Sequence, residues 1–263
     1  MKPYNKIFRL SLQQLFQYRM NIFMFIIFGF LPLLAMLYLW ITIYEGKDTI
    51  QGFSLQEMIT YVLLAKLLEV LLLPDFHWSI NTEIRKGELS KYLVKPLSYS
   101  RYWFARNLAV RTSHFVLAII PIVWIIGSMK AYTLPIQQHN VLLFLLSVLG
   151  SFILYFLMYY QISLLTIWFI DVSSFFFTVD ILLEFLAGTI IPLSLLPNWL
   201  YEILKYLPFS YLIYFPTSIY LGKFLHKEIW WGLCIQGTWI LVFLLTSRLL
   251  WLWGLKKYDS VGA

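Results

Sequence analysis

From residue 20 to residue 44 the chain carries no charged side chain. A helix needs about 20 apolar residues to cross the roughly 30 Å hydrocarbon layer of a bilayer, so this stretch is long enough to span one. It is too long for the apolar core of a signal peptide, and Glu45, Gly46, Lys47 and Asp48 after it do not form a small-x-small cleavage site. The stretch therefore reads as a retained first span, residues 21–43, with Pro32 as a candidate kink.

The rest of the chain has the same character. It is 60% hydrophobic and 13% charged, far below the roughly 25% charged residues of a soluble domain. Its aromatic share of 19% suits lipid-facing surfaces and the headgroup interface. A length of 263 residues accommodates about six spans with short connections and leaves no room for a separate catalytic domain. The expectation is an all-α polytopic membrane protein, one domain over residues 1–263, whose energy source comes from another chain.

Further apolar runs place spans at residues 55–73, 103–129, within 140–170, 174–188 and 228–252. Ahead of them, Lys2, Lys6, Arg9, Gln13 and Gln17 step by three or four beside a stripe of Tyr4, Phe8, Leu12, Leu15 and Phe16. That pattern predicts an amphipathic helix over 2–20 lying in the membrane plane, against the plainer alternative of a basic flank. Residues 74–100 form the longest polar stretch and read as a cytosolic connection, and an external turn is placed around residues 130–139.

Six spans put both termini on one side. On that topology only Lys47, Lys130, Lys205, Lys223 and Lys227 fall on the opposite side and Lys66 lies inside a span, while every other Lys and Arg sits with the termini. The termini are then cytosolic, in a cell membrane. The net charge of +7 follows from orientation and anionic lipid, with no nucleic-acid partner required.

Catalytic and metal-binding signatures are missing. No phosphate-binding G-x-x-x-x-G-K-[ST] loop occurs. His77, His114, His139 and His226 are scattered without metal-ligand spacing, and Cys234 is the single cysteine.

The chemistry in the sequence lies in charges within spans. Lys66 and Glu69 stand i,i+3 on one helix face and can pair, in a structural role or along a substrate path. Asp180 and Glu184 stand i,i+4 in the fifth span. They point either to proton coupling or cation binding, or to a water-facing or interface position.

The polar connection contains Glu83-Ile-Arg-Lys-Gly-Glu-Leu-Ser-Lys-Tyr-Leu-Val-Lys-Pro-Leu, helix-compatible, interrupted at Gly87 and stopped at Pro96. A short projecting helix with exposed charges and apolar anchors Ile84, Leu89 and Leu93 suits a groove on a soluble partner. Between Gly188 and Gly222, Pro192, Pro197, Pro208 and Pro216 rule out a straight helix. Trp199, Ile203 and Leu207 alternate there with Glu202 and Lys205, which reads as short, partly re-entrant outer helices over 188–222.

These two motifs resemble those of the permease subunit of a type 2 ABC exporter. The family's cytosolic pattern E-x-x-x-G-x-L-x-x-L-L-V-x-P is matched by Glu83, Gly87, Leu89, Leu93, Val94 and Pro96, with departures at Glu88, commonly Thr, and Tyr92, commonly Leu. The outer G-x-x-x-P-x-x-x-x-P-x-W, L-P-F, P and G series is matched by Gly188, Pro192, Pro197, Trp199, Leu207, Pro208, Phe209, Pro216 and Gly222.

The resemblance implies six spans, an in-plane N-terminal helix, a coupling helix over about 77–94 that includes Arg85 and Glu88, and outer re-entrant helices. It also implies two permeases, identical or related, above two cytosolic ATPase subunits that hold the ATP and Mg, with no cofactor on this chain. Substrate would then pass along the midline between spans one, two and five. A non-transporting scaffold or lipid-processing membrane protein is the alternative, distinguished by whether an ATPase co-purifies.

Overall fold

The structure is a computed structural model that describes residues 2–17, 19–128, 133–135, 138–169 and 172–258. It is almost entirely helical. Helix α1 (Lys2–Gln17) leads to α2 (Arg19–Ile43), which contains Pro32. A hairpin of Thr49–Ile50 with Phe53–Ser54 follows, an element the sequence reading did not anticipate. Its turn residues Gln51 and Gly52 both have positive φ, the geometry of the two-residue turn that matches strand twist.

Ser54 then opens α3 (Leu55–Leu72) with a reciprocal capping box, its hydroxyl accepting from the Glu57 N–H while the Glu57 carboxylate accepts from the Ser54 N–H. Helices α4 (Phe76–Arg85) and α5 (Ser90–Leu93) make up the polar connection, so the expected single coupling helix is two short ones. After them come α6 (Tyr99–Ser128), α7 (Val141–Leu164) with a 3-10 turn to Ile167, and α8 (Ser173–Leu186). The external turn around 130–139 lies largely outside the described residues.

The proline-rich stretch folds into irregular turns around α9 (Asn198–Leu204) and α10 (Tyr214–Tyr220), and α11 (His226–Lys257) closes the chain. The prolines sit where a missing N–H costs little. Pro192 and Pro197 are N-caps, Pro208 opens a 3-10 turn, and Pro216 lies in the first turn of α10.

Helix α7 is the hub. It packs along α11 and touches α4 and α10, while α3 lies against α2 and α6, and α1 runs along α6. The Tyr4 hydroxyl accepts the Ser98 N–H at 3.1 Å, which fixes α1 to the start of α6. A second, smaller core of Leu33, Leu37, Trp40, Met58 and Ile59 joins α2 to α3 and the hairpin.

At the end of the proline-rich stretch, Lys223 bridges three segments. Its ammonium meets Glu57 at 2.5 Å and the Gly52 carbonyl at 2.9 Å, and lies over the Phe53 ring. The end of the proline-rich segment is thereby latched to the hairpin and to the start of α3.

Candidate coupling site and intramembrane charge cluster

The elbow between α4 and α5 is a backbone device. Gly87 has φ +71°, its N–H bonds the Ile84 carbonyl at 3.1 Å, and the next N–H, of Glu88, reaches the Glu83 carbonyl at 2.8 Å. These paired bonds close the last turn of α4 through a left-handed residue, a position where glycine carries no steric penalty.

Glu83 holds the elbow to the helices behind it. Its carboxylate accepts from the Tyr92 hydroxyl at 2.9 Å and from the Tyr99 hydroxyl at 2.8 Å. Tyr99 in turn stacks on Trp251 of α11, ring centroids 5.2 Å apart. One side chain of α4 thus engages α5 and α6, and through them α11. Burial pushes the Glu83 carboxyl above its ordinary range, against the two phenol hydrogen bonds and Arg106, which favour the charged form. Burial and the Glu83 charge likewise push the Tyr92 phenol up, so it remains a donor.

The apolar anchors divide. Ile84 is buried and Leu89 is fully enclosed at 0% exposure, both within this chain's own core. They are unavailable to a partner, which corrects the expectation that all three anchors project outward. The reason is amphipathicity: α4 lays Phe76, Ile80 and Ile84 against α7. Leu93 and, at 83% exposure, Val94 do project, beside exposed Pro96 and an exposed Glu88–Lys91 pair at 2.9 Å. Arg85 is also on the surface.

The charges that the sequence reading places within spans, taken there as two separate pairs, form one cluster. Lys66 donates to both Glu69 oxygens at 3.0 Å. Glu184 feels the charges of Glu69, Lys66 and Asp180, and Tyr155 lies among the same carboxylates. The Tyr159 hydroxyl donates to Asp180 at 2.6 Å. His77 of α4 approaches Asp180 at 3.8 Å, too far for a hydrogen bond. Burial holds the His77 imidazole below its ordinary range, opposed by Asp180 and Asp75. The cluster therefore brings α3, α7 and α8 to α4. Glu184 itself is exposed on α8, beside Phe177, Ile181 and Phe185.

Sequence reasoning also missed an ion pair behind the elbow. Arg111 of α6 is buried, pairs with Asp75 at 3.1 Å and reaches the Val70 carbonyl at 3.4 Å, so it ties the end of α3 to the start of α4. Nothing in the spacing of Asp75 and Arg111 marks them as partners.

The outer segment is anchored as firmly. The Tyr61 hydroxyl of α3 donates to the Gly188 carbonyl, and the Tyr214 N–H bonds the Ala187 carbonyl at 2.9 Å. A Cβ on Gly188, where φ is +77°, would stand 2.9 Å from Tyr61 and from Tyr214, so glycine is required by both backbone and space. Trp199 of α9 is exposed at 67%, next to exposed Ile203 and the Glu202–Lys205 pair, the two-faced surface its spacing predicts.

Helix α11 shows which solvent this chain is built for. Its buried positions are Ile229, Gly232, Gln236, Ser247 and Gly254, while Trp230, Trp231, Leu241, Leu245 and Trp253 face outward. Small and polar residues inside with large apolar ones outside is the packing rule of helices in lipid. Among the described residues, two helical stretches, Gln138–Ile167 and His226–Lys257, are long and apolar enough to cross a membrane.

Residues 30–262 match the family model described as ABC-2 family transporter protein. The chain belongs to the ABC-2 transporter family. No curated protein and no solved structure matches it. As an ABC-2 permease it is a membrane transport component, and the Glu83–Val94 elbow and the outer proline series are features of its membrane domain. Tyr92, a departure from the pattern the sequence resembles, has a role in this ABC-2 chain: its hydroxyl supplies one of the two donors on Glu83.

Proposed function

We propose that this ABC-2 chain is one half of a dimeric export pathway driven by two separate cytosolic ATPase subunits. The carrying observation is the elbow itself. It presents Leu93 and Val94 outward, while its inner face is joined to α6 and α11 through Glu83, Tyr99 and Trp251. A push on α5 from a partner would be transmitted to two long helices rather than absorbed by a loose loop.

On this reading six helices, α2, α3, α6, α7, α8 and α11, cross the cell membrane with cytosolic termini, and ATP and Mg reside on the partner subunits. The second permease, identical or related, covers the face formed by α2, α3 and α8. Two features support that choice. Among the described residues α2 and α8 make sparser contacts with α7, α6 and α11 than the central helices make with one another, and each exposes large apolar side chains, Leu31, Leu34 and Tyr38 on α2 and Phe177 and Ile181 on α8. Exposed Glu184 also argues against lipid on this face, because a carboxylate at bilayer depth costs about 2.5–3.5 kcal/mol on insertion scales. Lys66, Glu69, Asp180 and Glu184 then line or flank the cargo route, which leaves past the outer segment at residues 188–222.

The test is co-purification with the ATPase subunits and an export assay. Leu93→Asp with Val94→Asp changes two exposed side chains and should leave the chain folded while abolishing ATPase association and export. Gly87→Pro should abolish both by breaking the elbow. Retained association in both variants overturns the coupling assignment, and absence of any co-purifying ATPase with a phosphate-binding loop favours the scaffold or lipid-processing alternative.

A further inference from the structure

Behind the elbow lies a cavity of about 740 Å³, enclosed by the segment 92–101, α7 and α11. Three cations rim it: Lys95, Arg101 and Arg248. All three are exposed, no Asp or Glu lines the cavity, and among the described residues none of the three has a carboxylate partner. The Lys95 ammonium lies over the Tyr92 ring, 5.7 Å from its centroid. The rest of the lining is largely apolar and includes Phe104, Leu157 and Leu244.

The size of the cavity constrains its occupant. Along α11 the lining runs from Leu255 to Leu244, a rise of about 16 Å at 1.5 Å per residue. That is close to half of the roughly 30 Å hydrocarbon layer, the depth of one leaflet. A soluble anion would satisfy the rim and leave the apolar walls bare. A neutral lipid would fill the walls and leave three cations facing no counter-charge. Basic pockets between helices at the cytosolic face are where anionic headgroups bind.

We propose that this cavity is a binding site for an anionic phospholipid of the cytosolic leaflet, its phosphate between Arg101 and Arg248 and an acyl chain running down toward Leu244. The assignment to that leaflet rests on the orientation given above. The site shares its wall with the coupling device, since Tyr92, Leu93, Tyr99 and Trp251 all line it. A bound lipid therefore braces the elbow beside the surface offered to the ATPase, with Leu93 at the border of the two.

The test uses the full chain in non-ionic detergent, with phosphatidylglycerol and phosphatidylcholine of the same acyl composition added and bound copies counted by native mass spectrometry. Phosphatidylglycerol should bind at a saturable single site, preferred over phosphatidylcholine, and Arg101→Gln with Arg248→Gln should lower that preference about tenfold or more. Leu244→Trp, which narrows the apolar end of the cavity and leaves the charges in place, should lower binding of both lipids without lowering the melting temperature. Equal binding of the two lipids, or a preference unchanged in the double Gln variant, overturns the site. Displacement of phosphatidylglycerol by excess inorganic phosphate overturns the lipid assignment in favour of a soluble anion. Labelling of a cysteine at Val94 from outside the cell, with phosphatidylglycerol preference retained, overturns the orientation and the leaflet while leaving the site.

Discussion

The Glu83 carboxylate is held by phenols nine and sixteen residues further along the chain, and each contributes a different link. Tyr92 closes the elbow locally, and Tyr99 connects it to the membrane helices. Removing one donor from a partly buried carboxylate costs about 1–3 kcal/mol. Tyr99→Phe, which keeps the ring stack on Trp251, should lower the melting temperature in detergent by that equivalent, and Tyr92→Phe by less because Tyr92 is only half-buried. Adding Glu83→Gln to Tyr99→Phe should recover part of the loss, since a neutral amide is cheaper to leave short of donors. An unchanged melting temperature in Tyr99→Phe would show that the clip holds nothing.

Residue type alone disclosed the Gly87 break and the Pro96 stop, because a left-handed turn and a missing N–H are local properties. The Lys66–Glu69 pair was equally legible, being three residues apart. Its union with Asp180 and Glu184 was not, because that depends on how α8 is laid beside α3. The same holds for Arg111 with Asp75, where partners far apart in sequence meet only through packing.

At the scale of elements, α11 meets α7 and α10 closely through glycines. A Cβ on Gly150 would stand 2.5 Å from the Gln236 amide oxygen, and one on Gly232 would stand 2.3 Å from the Phe215 ring. Gln236 uses this closeness to donate to the Ser147 carbonyl at 3.0 Å and the Tyr211 carbonyl at 3.1 Å, tying α7, α11 and the outer segment together. Gly232→Val should force Phe215 out of place and cost about 1–3 kcal/mol. Outward-facing Trp231→Val should stay within about 0.5 kcal/mol, and equal melting temperatures for the two variants would contradict this packing. Helix positions were readable from apolar runs, with ends off by a few residues: α6 starts at Tyr99 rather than 103, and α11 extends past 252 to Lys257. The hairpin at residues 49–54 escaped because two-residue strands carry no periodicity to detect.

At the scale of the molecule, the proposed cytosolic termini make a specific demand. With Cys234 replaced, a single cysteine at Val94 should react with an impermeant maleimide only after the cells are opened. One at Trp199 should react in intact cells. Both side chains are exposed, so access reports sidedness rather than burial. The reverse pattern would invert the arrangement and place the elbow where no ATPase can reach it.

Helix α8 has only 14 residues, a rise of about 21 Å against a hydrocarbon layer of about 30 Å. On the six-span reading the bilayer beside it must be pinched, or its outer third must be wetted where the chain turns at Gly188. Either way, the dry distance a cargo has to traverse is shortest next to Asp180 and Glu184.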